Sequence, residues 1–586
     1  MLRTRTSPWL ALPVLLLFVL YWPGLTTWFY QDDFGWLNLR HDVHSTADLM
    51  RALLAPKAHG NMRPLGENAY WLGLSAVFGA EPLPFHLWTF VTQSASLILL
   101  SLIVRRLTGS ATAALAAPIL WLVNIGLAPA MAWSSIYNQV LSAFFFLLAF
   151  YFLLCAIKSG RRIDSLGHWA AFILGLGALE INVVYPALAA IYVWLYARDW
   201  LPRILPMFAV SAASVALHFH FAPPSHEGVY APRLDSALPS TLYTYWRWAI
   251  GPMPVPILSI VILAAVVALI VRGMRSGEYT PMIGAAWFFL PLLPYLPLPD
   301  HKMDYYLAVP AIGIALLGAS AIAALRRLQL PARAAALAAI ALYVGVSLPA
   351  AWSAVRWQHA RGEKVEDLVL GVEEVRQRAP GKIILLDGID TDLFWSGIAD
   401  LPFRARGVPS VYLAPGSDSH IQAAPELLSK YTLPAALART ALAAGNAVVY
   451  RFDGSMLHDE TASAAGRWTE EQPHFVNLGD PVFADYAVSG WDAPADGCRR
   501  MRSAGTLRIG SPSGAGQSLY LGIFETSDFV PQVTVNGVTC ALSVSHRDND
   551  LTEFRAALPT AATGWPQLEV TIRNSRPLLF GYAEVR

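Results

Sequence analysis

Charge is scarce in this chain: of 586 residues only 14% are Asp, Glu, Lys or Arg, against roughly 25% in an ordinary soluble domain. A chain so poor in charge is not a single water-facing globule. The charges it has nearly cancel, at a formal net of +1, so it lacks the basic face or stripe by which a nucleic acid would be bound. Cysteine is rarer still, with three residues. No zinc-type spacing can be built from them. Cys155 falls inside an apolar run, and only Cys498 and Cys540, both near the end of the chain, could close a disulfide.

What the chain has in abundance is apolar side chains, 55% of the total, concentrated in the first three-fifths. The runs are Trp9 to Phe29, Pro84 to Val104, Ala111 to Leu127, Val140 to Ile157, His168 to Ile181, Val183 to Tyr196, Ile204 to Phe221, Val255 to Val271, Met282 to Leu298, Tyr306 to Leu325 and Ala334 to Trp352. They predict about eleven transmembrane helices, some of them shorter than the ~20 residues of a perpendicular span. The positive charges fall in every second connection: Arg3/Arg5, Arg105/Arg106, Lys158/Arg161/Arg162, Arg198/Arg203, Arg272/Arg275 and Arg326/Arg327/Arg333. Positive residues stay on the cytoplasmic side, so the amino terminus is expected in the cytoplasm and everything after Trp352 outside it. The first run has no small-residue cleavage site after it and reads as a retained helix rather than a signal peptide. Ala- and Arg-rich connectors point to a bacterium of high genomic GC, which makes the membrane the inner membrane and the outer side the periplasm.

The expected fold class is thus a polytopic α-helical membrane domain over residues 1–352, an extracytoplasmic helix and small α/β region over 353–470, and a β-sandwich over 471–586. Ser353 to Arg378 reads as a polar helix leading out of the membrane. Lys382 to Asp387, Val411 to Ala414 and Ala447 to Phe452 read as buried strands, with Leu433 to Ala444 helical between them. Ser518 to Phe524, Gln532 to Val535, Gln567 to Arg573 and Leu578 to Val585 alternate as half-buried strands do, and Asn536-Gly537 is a hairpin signal.

The segment richest in chemistry is Trp28-Phe29-Tyr30-Gln31-Asp32-Asp33-Phe34-Gly35-Trp36, where two carboxylates emerge from the outer end of the first helix among aromatics. A carboxylate beside lipid is costly without a partner or a task, and such a group is placed to act as a general base. The plainer reading is a helix cap at the interface. Further along, Asn61-Met62-Arg63-Pro64-Leu65, Phe78-Gly79 and Pro84-Phe85-His86-Leu87 precede or open the second span. Leu179-Glu180 and Tyr185-Pro186 lie between the fifth and sixth, and Asp304-Tyr305-Tyr306-Leu307 with Pro310 opens the tenth. In their order across one topology these segments resemble the integral-membrane glycosyltransferases of the GT-C type that use polyprenyl-phosphate sugars, among them protein O-mannosyltransferases and aminoarabinose transferases.

The resemblance covers about the first 350 residues. It implies a polyprenyl-phosphate sugar donor, an extracytoplasmic acceptor that is a protein, a lipid or a glycan, and a base drawn from Asp32 and Asp33, with Asp32 in the place of the base of the relatives. Where relatives often have Lys-Glu this chain has Leu179-Glu180, and where many have Arg-Tyr near the tenth span it has Asp304-Tyr305, so His301 or Lys302 would supply the cation there. Transfer of a sugar from a lipid phosphate needs one carboxylate for the acceptor proton and cations for the departing phosphate. The outer loops offer Arg63, Arg233, Arg247, His301 and Lys302 for the second task, Arg being best suited to bidentate phosphate binding. Arg63 could instead snorkel at the interface. Glu180, near the outer end of a short apolar helix, calls for a partner. His226, Glu227, Tyr243, Tyr245 and Trp246 could stack on a sugar or form an interfacial belt. No cofactor is required by this scheme, although the second Asp could hold a divalent cation.

Two other classes compete. A lipid-linked-sugar transporter or flippase would carry mid-membrane charges and commonly two matching halves, and here the runs are almost free of charge and no internal repeat is visible. A membrane-anchored carbohydrate-binding assembly protein would act through its terminal sandwich and leave Asp32, Asp33, Arg63 and Glu180 without a common purpose.

Overall fold

The computed structural model describes residues 10–56, 61–223, 228–251, 256–464, 466–468, 472–495, 497–511, 517–524, 530–548, 551–561 and 565–586. Arg3, Arg5, His226 and Glu227 lie outside the described residues. The chain divides into two compact units, the first ending at Glu366 and the second beginning at Asp367.

In the first unit each apolar run carries a helix. Among the described residues five helices are long and apolar enough to cross a membrane: Pro82–Thr108, Ser134–Ser159, Arg198–Phe221, Ile257–Ser276 and Leu330–Arg378. Ala111–Leu122 and Ile125–Met131, bent by 63° at a short break, make a sixth if taken as one span. Ala11–Leu20, Glu180–Tyr196, Thr280–Leu292 and Ala311–Ala324 are apolar but shorter. Helix length by itself thus supports fewer crossings than the count of apolar runs. The breaks have local causes. The first run stops at Leu20 and resumes over Trp22–Leu25, with Pro23 at the helix start. Gly24 there lies so close to the carbonyl of Met131 that a Cβ would overlap it. Irregular backbone survives at membrane depth only where protein covers it, and the turns between Val123 and Tyr137 are almost wholly buried.

The polar helix expected after Trp352 is not a separate element. It continues the last apolar run as one 49-residue helix, Leu330–Arg378. The change from apolar to polar at Trp352 alters what the helix faces, while its backbone hydrogen bonds need only helix-forming residues, and no proline interrupts the stretch from Trp352 to Arg378.

Among the described residues the second unit contains two sheets. Strands β1 (Ile383–Asp387), β2 (Val411–Leu413), β3 (Ala447–Phe452) and β4 (Leu457–Asp459) form a sheet in the order β2-β1-β3-β4. β1 pairs parallel with both β2 and β3, and β4 closes the edge antiparallel. The rest is a ten-stranded sheet in which every pairing is antiparallel. Its hairpin at Asn536-Gly537 has both residues at positive φ, 48° and 81°, as a two-residue primed turn requires. Leu507, Leu519, Val535, Phe554 and Val570 of this sheet share one buried cluster with Leu385 and Val449 of the other.

Cys498 and Cys540 do not form the disulfide that the sequence left open; both are thiols. Two strands, Gln532–Val535 and Gln567–Arg573, lie between theirs in the sheet. At about 4.8 Å per strand that separation far exceeds the roughly 7 Å limit on bridged Cα atoms.

Candidate active site

Three charged groups distant in sequence are brought together first by backbone. After Arg63 the chain makes a single π-helical turn, Pro64–Ala69, which packs on the bend before Glu180. The Leu65 amide donates to the Gly177 carbonyl at 2.9 Å, and a Cβ on Gly66 would overlap the carbonyl oxygen of Ala178. Glycine is therefore what lets this turn approach. The Arg63 guanidinium then donates through Nε to both Glu180 oxygens, at 2.9 and 2.8 Å, and through Nη1 to Glu67 Oε1 at 2.5 Å. Asn138 Nδ2 adds a bond to Glu67 Oε1 at 2.7 Å. Burial pushes the Glu67 carboxyl above its usual range while Arg63 opposes the shift. Among the described residues Arg63 Nη2 makes no hydrogen bond.

The adjacent acids Asp32 and Asp33 have opposite surroundings. Gln31 sits at a φ of 56°, and the chain turns there into the short helix Asp33–Asn38. Asp33 points into the protein and is 1% exposed. It accepts the Ser135 hydroxyl at 2.5 Å and the Tyr30 amide at 3.2 Å. Burial nevertheless pushes its carboxyl up to about 8, because no hydrogen-bond donor here outweighs the loss of water. Asp32, by contrast, is open to solvent. Its carboxyl is still raised, chiefly by desolvation, with its own backbone amide and Arg361 acting in the other direction. A group that solvent reaches and protein still desolvates lies in a recess rather than on a convex surface.

Aromatic residues outline that recess. Tyr30 stacks on Trp133 with ring centres 5.8 Å apart, Trp133 meets Tyr305 at 6.1 Å, and Tyr305 meets Tyr306 at 4.9 Å. Tyr306 stacks on Tyr295 at 3.9 Å, and His301 lies between Tyr306, at 6.0 Å, and Tyr230, at 4.2 Å. Tyr230 feels both Asp32 and Arg63, Tyr305 feels Asp32, and Tyr306 feels Arg63 and Glu180. Asp304 is within electrostatic reach of Tyr30, and its own carboxyl is raised by burial.

Of the residues singled out from sequence, Asp32, Arg63, Glu180, His301, Asp304 and Tyr305 are thus linked to one another through this series of aromatic neighbours, and Asp33 is buried behind Asp32. Lys302 lies on the same loop but donates to the Pro299 carbonyl. Arg233 is exposed and paired with Asp235 and Asp300, at 3.1 and 3.3 Å. Arg247 is exposed on the helix Ala237–Ala249, 6.0 Å from the Tyr243 ring. Tyr245 and Trp246, expected in an outer belt or on a sugar, are buried, because the loop that carries them folds as that helix and turns them inward.

Four residues of the site were missed from sequence. Ser135 and Tyr230 are ordinary loop residues, Glu67 was passed over although it follows Arg63 by one helical turn, and Arg361 stood beyond the expected end of the membrane domain. Among the described residues no group of three or more His, Cys, Asp and Glu side chains is placed to hold a metal ion.

No protein-family model matches the chain, and no curated protein matches it in sequence. Among solved structures it is similar to ArnT from Cupriavidus metallidurans bound to undecaprenyl phosphate, at 13% identity over 79% of this chain and 95% of that one, with a TM-score of 0.45. It is similar also to an oligosaccharyltransferase from Archaeoglobus fulgidus tethered with an acceptor peptide, at 11% identity over 97% and 96% of the two chains and a TM-score of 0.44. Arabinosyltransferase EmbB from Mycobacterium smegmatis aligns at 13% identity with 100% of this chain and 65% of its own, with a TM-score of 0.32.

Proposed function

We propose that this protein is an integral-membrane glycosyltransferase of the GT-C type, which moves a sugar from a polyprenyl-phosphate donor to an acceptor hydroxyl outside the cytoplasm. The observation that carries the reading is the division of labour within the acidic pair: one carboxylate faces a desolvating, tyrosine-lined recess while its neighbour is buried and hydrogen-bonded behind it. In the proposed step an oxygen of the acceptor attacks the anomeric carbon and forms the new C–O bond. The bond from that carbon to the phosphate oxygen breaks, and its electron pair leaves on the phosphate. The acceptor proton passes to Asp32. A single displacement of this kind inverts the anomeric centre.

Asp32 suits the base role because it is reachable, and the opposing charge of Arg361 helps keep it ionised. Asp33, with its carboxyl pushed up to about 8, holds a proton at neutral pH and serves to fix the turn. Arg63 would present Nη2 to the donor phosphate while Glu180 and Glu67 hold the rest of its guanidinium, and His301 or Lys302 would supply further positive charge. The membrane is the bacterial inner membrane in this reading, with the amino terminus in the cytoplasm and the second unit in the periplasm.

The test compares purified wild type with Asp32→Asn for sugar release from a panel of polyprenyl-phosphate sugars, at equal membrane insertion. Loss of a positioned base costs about 10² to 10⁴ in rate. An Asp32→Asn enzyme that turns over at the wild-type rate, on a donor the wild type uses, would refute the mechanism.

A further inference from the structure

The segment that presents Asp32 is laid along the last long helix, Leu330–Arg378. Tyr30 donates its hydroxyl to Gln358 Oε1 at 2.5 Å, and the Thr27 hydroxyl meets His359 Nδ1 at 3.5 Å. Gly362 lets this segment come close: a Cβ there would stand 3.0 Å from the Trp28 nitrogen, the Trp28 oxygen and Thr27 Cγ2. In the middle of this contact Arg361 donates through Nη1 to Gln31 Oε1 at 2.9 Å. Its guanidinium lies 5.6 Å from the Tyr30 ring centre and 5.3 Å from that of Trp357.

Gln31 is the residue that needs holding. Its φ of 56° is unfavourable for a residue with a Cβ, so the turn persists only where its surroundings fix it. Asp32 follows directly, and the direction of its carboxylate depends on that turn.

We propose that Arg361 is the positioning residue of the base, holding Gln31 in its left-handed turn by the Nη1 to Oε1 bond and setting a permanent positive charge beside the Asp32 carboxylate. The inference rests on the role given to Asp32 above and extends it to a residue of the helix that leads to the second unit. A lysine could keep the charge but not the planar grip on both Gln31 and the Tyr30 ring. The other ionisable groups around Asp32 are Asp33 and Tyr30 on its own segment, Tyr230 on the outer loop and Tyr305 on the turn that begins at Asp304. Arg63, which acts on Tyr230 as Asp32 does, and His301, 4.2 Å from the Tyr230 ring, are basic groups of the same surroundings, and Arg361 acts on the Asp32 carboxyl itself.

The experiment measures two things in wild type, Arg361→Gln, Arg361→Lys and Gln31→Ala. The first is the titration of the Asp32 carboxyl, read as the infrared carboxyl band that Asp32→Asn abolishes. The second is the pH dependence of kcat and of KM for a polyprenyl-phosphate sugar. In Arg361→Gln the carboxyl titration and the acid limb of kcat should both move toward alkali by about one pH step, and kcat should fall about tenfold with little change in KM. Arg361→Lys should restore the titration but not the full kcat, and Gln31→Ala should lower kcat without moving the titration. A correctly inserted Arg361→Gln whose Asp32 band titrates as in wild type would overturn the proposal, whatever the donor panel shows. If instead the band moves and no donor is turned over even by wild type, the hold of Arg361 on the Asp32 carboxylate stands and the glycosyltransferase reading fails.

Discussion

Asp33→Asn should leave turnover near the wild-type rate at neutral pH and make the protein more stable than wild type in alkali. Asp33 is 1% exposed, and the neighbours acting on it most strongly are two hydrogen-bond donors and the like charge of Asp32. Its carboxyl is pushed up to about 8, whereas in the unfolded chain it would titrate near 4. Below about pH 4 both states hold the proton and the group does not affect stability. Between there and about pH 8 the unfolded chain has released the proton and the folded chain has not, so stability falls as pH rises, by about 1.4 kcal/mol per pH step. Across the whole window the loss is on the order of 5 kcal/mol. The amide has no proton to lose and keeps the shape of the neutral acid. Thermal unfolding of wild type and variant in detergent, at a series of pH values, should give a Tm difference that is small at pH 4 and widens until about pH 8. A difference that stays flat would refute the reasoning, as would one that favours the wild type as pH rises. So would an Asp33→Asn turnover at neutral pH as low as that of Asp32→Asn.

Arg63→Ala should lower turnover about tenfold or more, the order expected for a lost charged hydrogen bond, and should also destabilise the first unit by leaving Glu67 and Glu180 facing each other unneutralised. Adding Glu180→Gln to Arg63→Ala should recover part of the Tm but none of the turnover; recovery of both would assign Arg63 a purely structural role. A reporter that works only outside the cytoplasm, fused after Arg586, should be active, and one placed in the Lys158 to Arg162 connection should be silent; the reverse pattern would invert the topology.

Much of this molecule is legible one segment at a time. The apolar runs became helices because length and composition decide whether a stretch can satisfy its own backbone in lipid. Several strands of the second unit, among them Ile383–Asp387, Ala447–Phe452, Gln567–Arg573 and Leu578–Val585, fall where alternation and buried β-branched runs put them, whereas others such as Cys498–Gly510 and Leu551–Ala557 were not read from the sequence, and Asn536-Gly537 turned as those two residues prefer. Local periodicity and turn chemistry carry that information, and it is written in neighbouring residues. The sequence also identified Asp32, Asp33, Arg63 and Glu180 as groups in need of an explanation, because charge beside lipid is expensive wherever it stands.

It could not say which task each one takes. Asp32 and Asp33 are adjacent and chemically identical, and a single turn at Gln31 sends one to Ser135 and the other to the recess. Arg63 reads as an uncommitted cation until the π-turn on Gly66 brings it against Glu180, and Arg361 reads as part of a solvated helix until that helix proves continuous with the last apolar run and passes beside Gln31. These assignments depend on burial and on contacts between segments hundreds of residues apart. A carboxylate's proton affinity follows from the protein atoms and charges packed around it, so only the tertiary structure decided which acid is neutral and which faces the recess.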